Sequence, residues 1–307
     1  MTGQPLPPAR HAHGPHAVAR LAAAAAVACT LGIALPAGAQ VRVDRRLPAD
    51  RDVSLRIYDL VGAVRVVAWD RDTVAVAGTL GAPGQLAMGG TPRAMKIAVG
   101  QQEGPNPGPP ATLEVHVPRT ARVWVKTASA PVTVEGVRGG LDLYTVDGDI
   151  VVVGDVRELR AESMDGGITV TGTPAWARLK TAAGDIALRG GGGDIGLTSV
   201  SGAVMVSDGV VDRARLETVT GAITFAATMV RGGSYDVDSH AGRVELRIPP
   251  RLGVDLEATT LHGTIDGPVV AAHARNGDGR NFTLVTGAAD ARITVRTFKG
   301  PIHLRHP

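Results

Sequence analysis

The sequence predicts an all-β protein, a single-stack β-solenoid (β-helix-like) of about 18–21-residue coils with an irregular β part on its N-terminal side. Three observations predict it. A glycine recurs at Gly148, Gly166, Gly184, Gly202, Gly221, Gly242 and Gly263, with spacings of 18, 18, 18, 19, 21 and 21 residues. Each of these glycines stands between short runs in which apolar and polar residues alternate, the period of a half-buried strand. Glycine is abundant, at 40 residues, while aromatics make up only 3%, which fits a turn-rich protein with a slim aliphatic core.

Residues 1–39 read as a signal peptide. Arg10 and Arg20 lie in a segment without acidic residues, and an Ala-rich apolar run follows over Leu21–Leu35. Pro36 ends the run, and Ala37-Gly38-Ala39 supplies small residues before Gln40, so cleavage is expected between Ala39 and Gln40. The run is shorter than the roughly 20 residues of a membrane span, so the mature chain is expected to have no transmembrane helix. The only cysteine, Cys29, lies in this segment, and a mature chain from Gln40 has no thiol or disulfide chemistry. Lipidation through Cys29 is a weaker alternative, because the apolar run continues past it. Without Arg10 and Arg20, 30 Lys+Arg face 29 Asp+Glu. That balance gives no strong overall field, and with no basic stripe interleaved with aromatics it argues against nucleic acid as a partner.

Residues 40–120 form the irregular β region. Val53-Leu55-Ile57, Val64-Val66 and Val74-Val76 alternate like strands, as does Leu113-Val115-Val117. Two Pro/Gly-rich stretches, 81–94 and 100–111, read as exposed loops around a strand at Met95–Val99, with a hinge between two domains as the alternative.

Residues 121–307 form the regular repeat. Aligned on the turn glycine, the copies read KTASAPVTV, YTVDGDIVV, ESMDGGITV, KTAAGDIAL, TSVSGAVMV, ETVTGAITF, DSHAGRVEL and TTLHGTIDG, with Ala130 in the glycine place of the first. The last copy, RTFKGPIHL around Gly300, follows after 37 residues, so a loop near 267–280 is inserted into a degenerate coil. The glycine is expected to supply a positive φ at the corner. The Thr or Ser three residues before it is expected to form a hydroxyl ladder or to bond the turn. Each coil offers four or five aliphatics worth ~1.5–3 kcal/mol apiece, against a backbone cost of ~1–2 kcal/mol per residue. A lone coil cannot fold, and stacking at ~4.8 Å is what makes the coils stable.

The repeats YTVDGDIVVVGD, ESMDGGITVTG and KTAAGDIAL, with AWDRDTVAVAG and LEVHVPRTARVWVKTA before them, resemble the bacterial adhesin-like family of the DUF4097/DUF2807 type over most of residues 50–305. The resemblance implies a β-solenoid, often right-handed, on exported or envelope-associated proteins, and it implies no catalytic residues. The two Pro/Gly loops and the 268–280 insertion depart from the family's simplest pattern.

Candidate sites are few. Asp147, Asp149 and Asp165, with Asp185 and Asp194 further on, could line up between coils for Ca²⁺, but no calcium-roll nonapeptide array is present and Asp favours tight turns for its own sake. Asp149 with Asp165, or Glu162 with Asp147, could imitate a glycosidase pair. Trp69, Trp124 and Trp176 do not share a repeat position. His240 and His262, at the turns of successive copies, could share a metal, with His273 as a third ligand, although two histidines alone make a poor site. Gly190–Gly193 precedes no helix and reads as a corner. The expectation is therefore a non-catalytic, cofactor-free envelope structural or binding protein located in the periplasm, on the outer surface or outside the cell. Its partner would be an envelope protein or glycan, engaged where the repeat is interrupted, at 81–111 and 267–280. A polysaccharide-binding or polysaccharide-degrading β-helix is the alternative, and a scaffold or sensor in an envelope stress system follows from family analogy only.

Overall fold

Alternation along each strand sends every second side chain inward. In the coil of Gly140–Tyr144 and Ile150–Val153, Leu141, Leu143, Ile150 and Val152 are all buried, while Asp142, Tyr144 and Val153 face outward. The next coil, Glu158–Glu162 with Ile168–Thr171, repeats this in register: Leu141 pairs with Leu159 and Ile150 with Ile168. Successive coils thus build two columns of parallel strands around one aliphatic core. The computed structural model describes residues 40–81, 84–100, 109–274 and 279–307, and Gly38–Pro307 forms one unit. The presequence, Cys29 and the Ala39 side of the expected cleavage site lie outside the described residues, whereas Gln40 opens the strand Gln40–Pro48.

The turn between the columns is the most repeated feature, and its glycine has a different cause from the one the sequence suggests. None of the seven turn glycines, nor Gly300, has a positive φ. A Cβ on Gly166 would lie 2.0 Å from the Gly148 carbonyl oxygen, and one on Gly202 would lie 1.8 Å from that of Gly184. The backbones of neighbouring coils touch here, and a methyl group would wedge them apart. The positive-φ glycines sit at the opposite corner, where Gly154 and Gly172 have φ of 136° and 144°.

The buried hydroxyls tie each turn both to itself and to the next coil. The Gly166 N–H donates to Ser163 Oγ at 2.9 Å and the Gly184 N–H to Thr181 Oγ1 at 3.1 Å, while Thr181 Oγ1 donates to the Gly166 carbonyl at 3.1 Å. The ladder runs through Thr145, Ser163, Thr181, Ser199, Thr218 and Ser239, all buried. Both expected roles of these hydroxyls are therefore realised. Next to Thr127, the rung that follows Tyr58 is not a hydroxyl but Asp59. Asp59 is 1% exposed and its Oδ2 has no hydrogen-bond partner. Burial pushes its carboxyl up to about 7, against a smaller opposing effect of the Val61 N–H.

Sequence order and stacking order part at both ends. The strands Ser54–Tyr58 and Gly62–Trp69 stack between Ala94–Val99 with Ala111–Pro118 on one side and Arg122–Lys126 with Val132–Glu135 on the other. At the far end the last coil, Ala291–Thr297 with Ile302–Arg305, slots in front of Val254–Thr260 and Ile265–Asp266. Gly300 accordingly stands between Gly242 and Gly263, which accounts for the gap of 37 in the repeat. Antiparallel strands close both ends. Asn281–Val285 covers Val254–Thr260, Leu86–Thr91 covers Ala94–Val99, and Thr73–Gly81 covers Ala111–Pro118. Gln40–Pro48 then pairs with Thr73–Gly81 and leaves a charged edge of Arg42, Asp44, Arg45 and Arg46, which discourages pairing with another chain.

Two stretches that read as loops are therefore partly regular. Residues 81–94 contain the strand Leu86–Thr91, and the 267–280 insertion contains the short helix Pro268–Ala272. Glycine density hid the first, because Gly89 and Gly90 sit in a hairpin edge strand that buries little besides Leu86.

Two stability outcomes are expected. Gly166→Ala should destabilise by at least the ~1–3 kcal/mol of an overpacked core, whereas Asp165→Ala, on the exposed turn, should stay within about 0.5 kcal/mol in chemical denaturation. Folded Asp59 keeps its proton up to about pH 7, while the unfolded chain releases it near 3.8. Its contribution is therefore full below pH 3.8 and is lost as pH rises to 7. Across that window the wild type should lose up to about 4 kcal/mol relative to Asp59→Asn, a difference that melting curves at the two ends would show.

Candidate functional site

Each strand of the first column presents three outward positions, and in-register stacking arranges them in rows. Consecutive coils carry Arg122, Trp124 and Lys126; Gly140, Asp142 and Tyr144; Glu158, Arg160 and Glu162; and Trp176, Arg178 and Lys180. Gly140 interrupts its row, since it has no side chain between those of Arg122 and Glu158. Above it opens a trough of about 860 Å³. Trp124 stands on one side and Trp176 on the other, three coil spacings or roughly 14 Å apart along the stack.

The aromatic groups are held in place. Trp124 packs against Tyr58 with ring centroids 4.9 Å apart and planes tilted by 53°. Trp176 is flanked by the guanidinium groups of Arg178 at 4.7 Å and Arg160 at 5.8 Å. Arg178 is itself anchored by Asp194 at 2.9 Å, and it lies across Gly196, where a Cβ would approach its Cδ to 2.7 Å.

Charge is distributed unevenly along this face. Beyond Trp176 the charges neutralise one another: Arg178 and Arg213 with Asp194, Arg215 with Glu217, Arg296 with Asp238, and Arg292 with Asp255. Around the trough, among the described residues, Arg56, Arg122 and Arg160 form no ion pair. Lys96 and Lys126 rest over the rings of Tyr58 and Tyr144, at 4.7 and 5.4 Å. Asp142 is half-buried on the trough floor. Burial pushes its carboxyl up, Arg160 pulls it down and Glu162 adds a smaller upward effect.

The sequence-predicted site residues do not converge. Asp147 and Asp165 lie on exposed turns. Asp149 Oδ1 accepts from the Gly167 N–H at 2.8 Å, and Asp185 Oδ1 from the Ala203 N–H at 2.7 Å, so both carboxylates tie one coil to the next. Neither imagined carboxylate pair, Asp149 with Asp165 or Glu162 with Asp147, lines the trough. His240 and His262 are not on adjacent coils, because the inserted C-terminal coil places Phe298 between them. Phe298 stacks on His240 at 4.8 Å and meets His262 edge-on at 5.2 Å. His273 is engaged with the Val269 carbonyl at 3.0 Å. Among the described residues no group of three or more His, Cys, Asp or Glu is placed to hold a metal ion, and no helix is long and apolar enough to cross a membrane.

Sequence reasoning missed the trough. Trp124 and Trp176 occupy different places in their repeats, and only the lateral pairing of strands puts them on one face. The available signal was the glycine at 140, where neighbouring copies carry Arg122, Glu158 and Trp176. The trough spans the strand Ser54–Tyr58 and the first regular coils, and none of its lining residues belongs to the interruptions 81–111 and 267–280.

Fold and surface define the molecule as a capped β-solenoid with an aromatic-walled, arginine-rimmed trough on its first face. The chain belongs to the Toastrack DUF4097 family, whose sequence profile matches residues 111–305, and the resemblance read from the repeats is borne out. No curated protein matches it. Solved structures similar to it include a candidate cell adhesion protein from Clostridium sporogenes, 10% identical over 87% of this chain and 100% of that one, with a TM-score of 0.25. Two candidate adhesins are also similar. The one from Bacteroides fragilis is 12% identical over 86% of this chain and 97% of that one, with a TM-score of 0.41. The one from Parabacteroides merdae is 10% identical over 67% and 96%, with a TM-score of 0.29.

Proposed function

We propose that this is an exported, non-catalytic binding protein of the cell envelope, which uses a rigid β-solenoid to present the trough over Gly140 to an envelope or surface partner. The observation that carries the reading is the trough itself. It is concave, walled by aromatic rings and supplied with a few polar groups, the composition of a ligand site. Its walls come from strands paired on both sides, so its shape is set before a ligand arrives, and a preorganised site loses little entropy on binding. Export is supported by the basic, apolar and small-residue layout of residues 1–39.

A second reading, a polysaccharide-degrading enzyme, is favoured by one observation. Asp142, with its raised carboxyl, and Glu158, one coil on, line the same trough. Turnover of a polysaccharide that disappears in both Asp142→Asn and Glu158→Gln would establish that reading. The binding reading expects no turnover.

Two experiments test the proposal. N-terminal sequencing of the protein recovered from envelope and medium fractions should begin at Gln40, and an intact Met1 confined to the cytoplasm would contradict export. Retention of the protein on isolated cell envelopes should fall about tenfold or more in Gly140→Trp, which fills the trough from an outward position where a Cβ meets only Arg122 Cγ at 3.6 Å. Unchanged retention by a folded Gly140→Trp would remove the trough from the account.

A further inference from the structure

The trough's chemistry narrows its ligand. We propose that it takes an acidic polysaccharide, with carboxylates of the glycan engaged by Arg56 and Arg122 and a sugar ring lying across Gly140 against Trp124. This inference rests on the reading of the trough as the binding site.

Three features of the trough point the same way. The first is charge. Arg56 and Arg122 flank the trough on adjacent strands, both exposed and without an ion pair among the described residues, whereas the arginines Arg178, Arg213, Arg215, Arg292 and Arg296 of the same face are paired. A planar guanidinium with its donors unspent is suited to hold a carboxylate by two parallel hydrogen bonds. Lys96 and Lys126, beside them, form no ion pair among the described residues and extend the positive field along the strands.

The second feature is the ring geometry. Tyr58 tilts against Trp124 and holds it in place, and the absent side chain at Gly140 leaves room for a body of pyranose size. A pyranose carries C–H groups on its faces and hydroxyls around its rim. It therefore needs an aromatic wall together with acceptors.

The third feature supplies those acceptors and discriminates between polyanions. Asp142 and Glu158 lie on the trough's floor and far side, where they can accept from sugar hydroxyls. Nucleic acid, with a phosphate at every residue and few hydroxyls to donate, would meet these carboxylates as repulsion. An acidic glycan, with hydroxyls for the carboxylates and carboxylates for the arginines, satisfies both.

The test is calorimetric titration at low and high salt with a panel of uronate oligosaccharides (galacturonate, alginate and hyaluronan fragments), the methyl ester of the tightest binder, and a single-stranded oligonucleotide. At least one uronate should bind, its methyl ester should bind about tenfold or more weakly, and salt should weaken the acid form alone. Arg56→Glu with Arg122→Glu should reproduce the loss of about tenfold or more in the acid form while leaving the ester unchanged, with circular dichroism confirming the fold. If the ester binds as well as the acid and Gly140→Trp still abolishes it, the trough stands and the acidic ligand falls. The inference is also overturned if the oligonucleotide binds more tightly than every uronate. If no uronate binds while envelope retention stays sensitive to Gly140→Trp, the ligand class is wrong and the trough is not. If neither binding nor sensitive retention is found, both fall.

Discussion

The structure depends on backbone contact between coils at their corners, and most regularly at the corner of the glycine column. Where the chain turns from the first column of strands to the second, the carbonyl of one coil approaches the α-carbon of the next so closely that only hydrogen fits. A Cβ on Gly184 would lie 2.2 Å from the Gly166 oxygen, and one on Gly221 would lie 1.9 Å from that of Gly202. The parallel ladders set the spacing of the coils, and at that spacing the corner has room for hydrogen only. Leu143, Ala161, Leu179 and Leu197 stack in file because their strands are held in strict register. The hydroxyl ladder accompanies the contact for a simple reason. A corner packed this tightly excludes water, so its N–H and carbonyl groups need partners from the chain, and a Thr or Ser three residues earlier is short enough to reach both.

The same stacking produces the trough. Uniform coil spacing turns the outward residues into straight rows, so a single missing side chain makes a defined depression. Gly140 does this among Arg122, Glu158 and Trp176. The walls need no further support, because each belongs to a strand bonded on both sides. Charge follows a similar pattern. Near the C-terminal end of the face, oppositely charged residues on neighbouring coils neutralise one another, while near the trough Arg56, Arg122 and Arg160 form no ion pair among the described residues.

The architecture was legible in the sequence because a solenoid writes its period directly into the chain. The glycine column, the inward aliphatics and the Ser/Thr rung could all be read from one copy and its neighbours. Stacking order at the ends was not legible. The copy around Gly300 looks like the last coil, and nothing local says that it enters between Gly242 and Gly263. That misplacement also made His240 and His262 look like neighbours when Phe298 separates them. The cause of the glycine was misread for a related reason: a close approach between coils and a positive φ demand the same residue, and a sequence does not distinguish them. The trough escaped notice because its aromatic walls, Trp124 and Trp176, stand three coils apart at unlike repeat positions, and only the lateral pairing of strands brings them to one face.

The claim most worth testing is that the glycine corner is a closed, water-excluding part of the stack rather than an ordinary exposed turn. Amide hydrogen exchange, followed residue by residue, addresses it directly. The N–H groups of Gly148, Gly166, Gly184 and Gly202, each donating to a buried hydroxyl, should exchange only through global unfolding, as slowly as the core strands. Exchange at these glycines as fast as at solvated turns, with the strands still protected, would contradict the account.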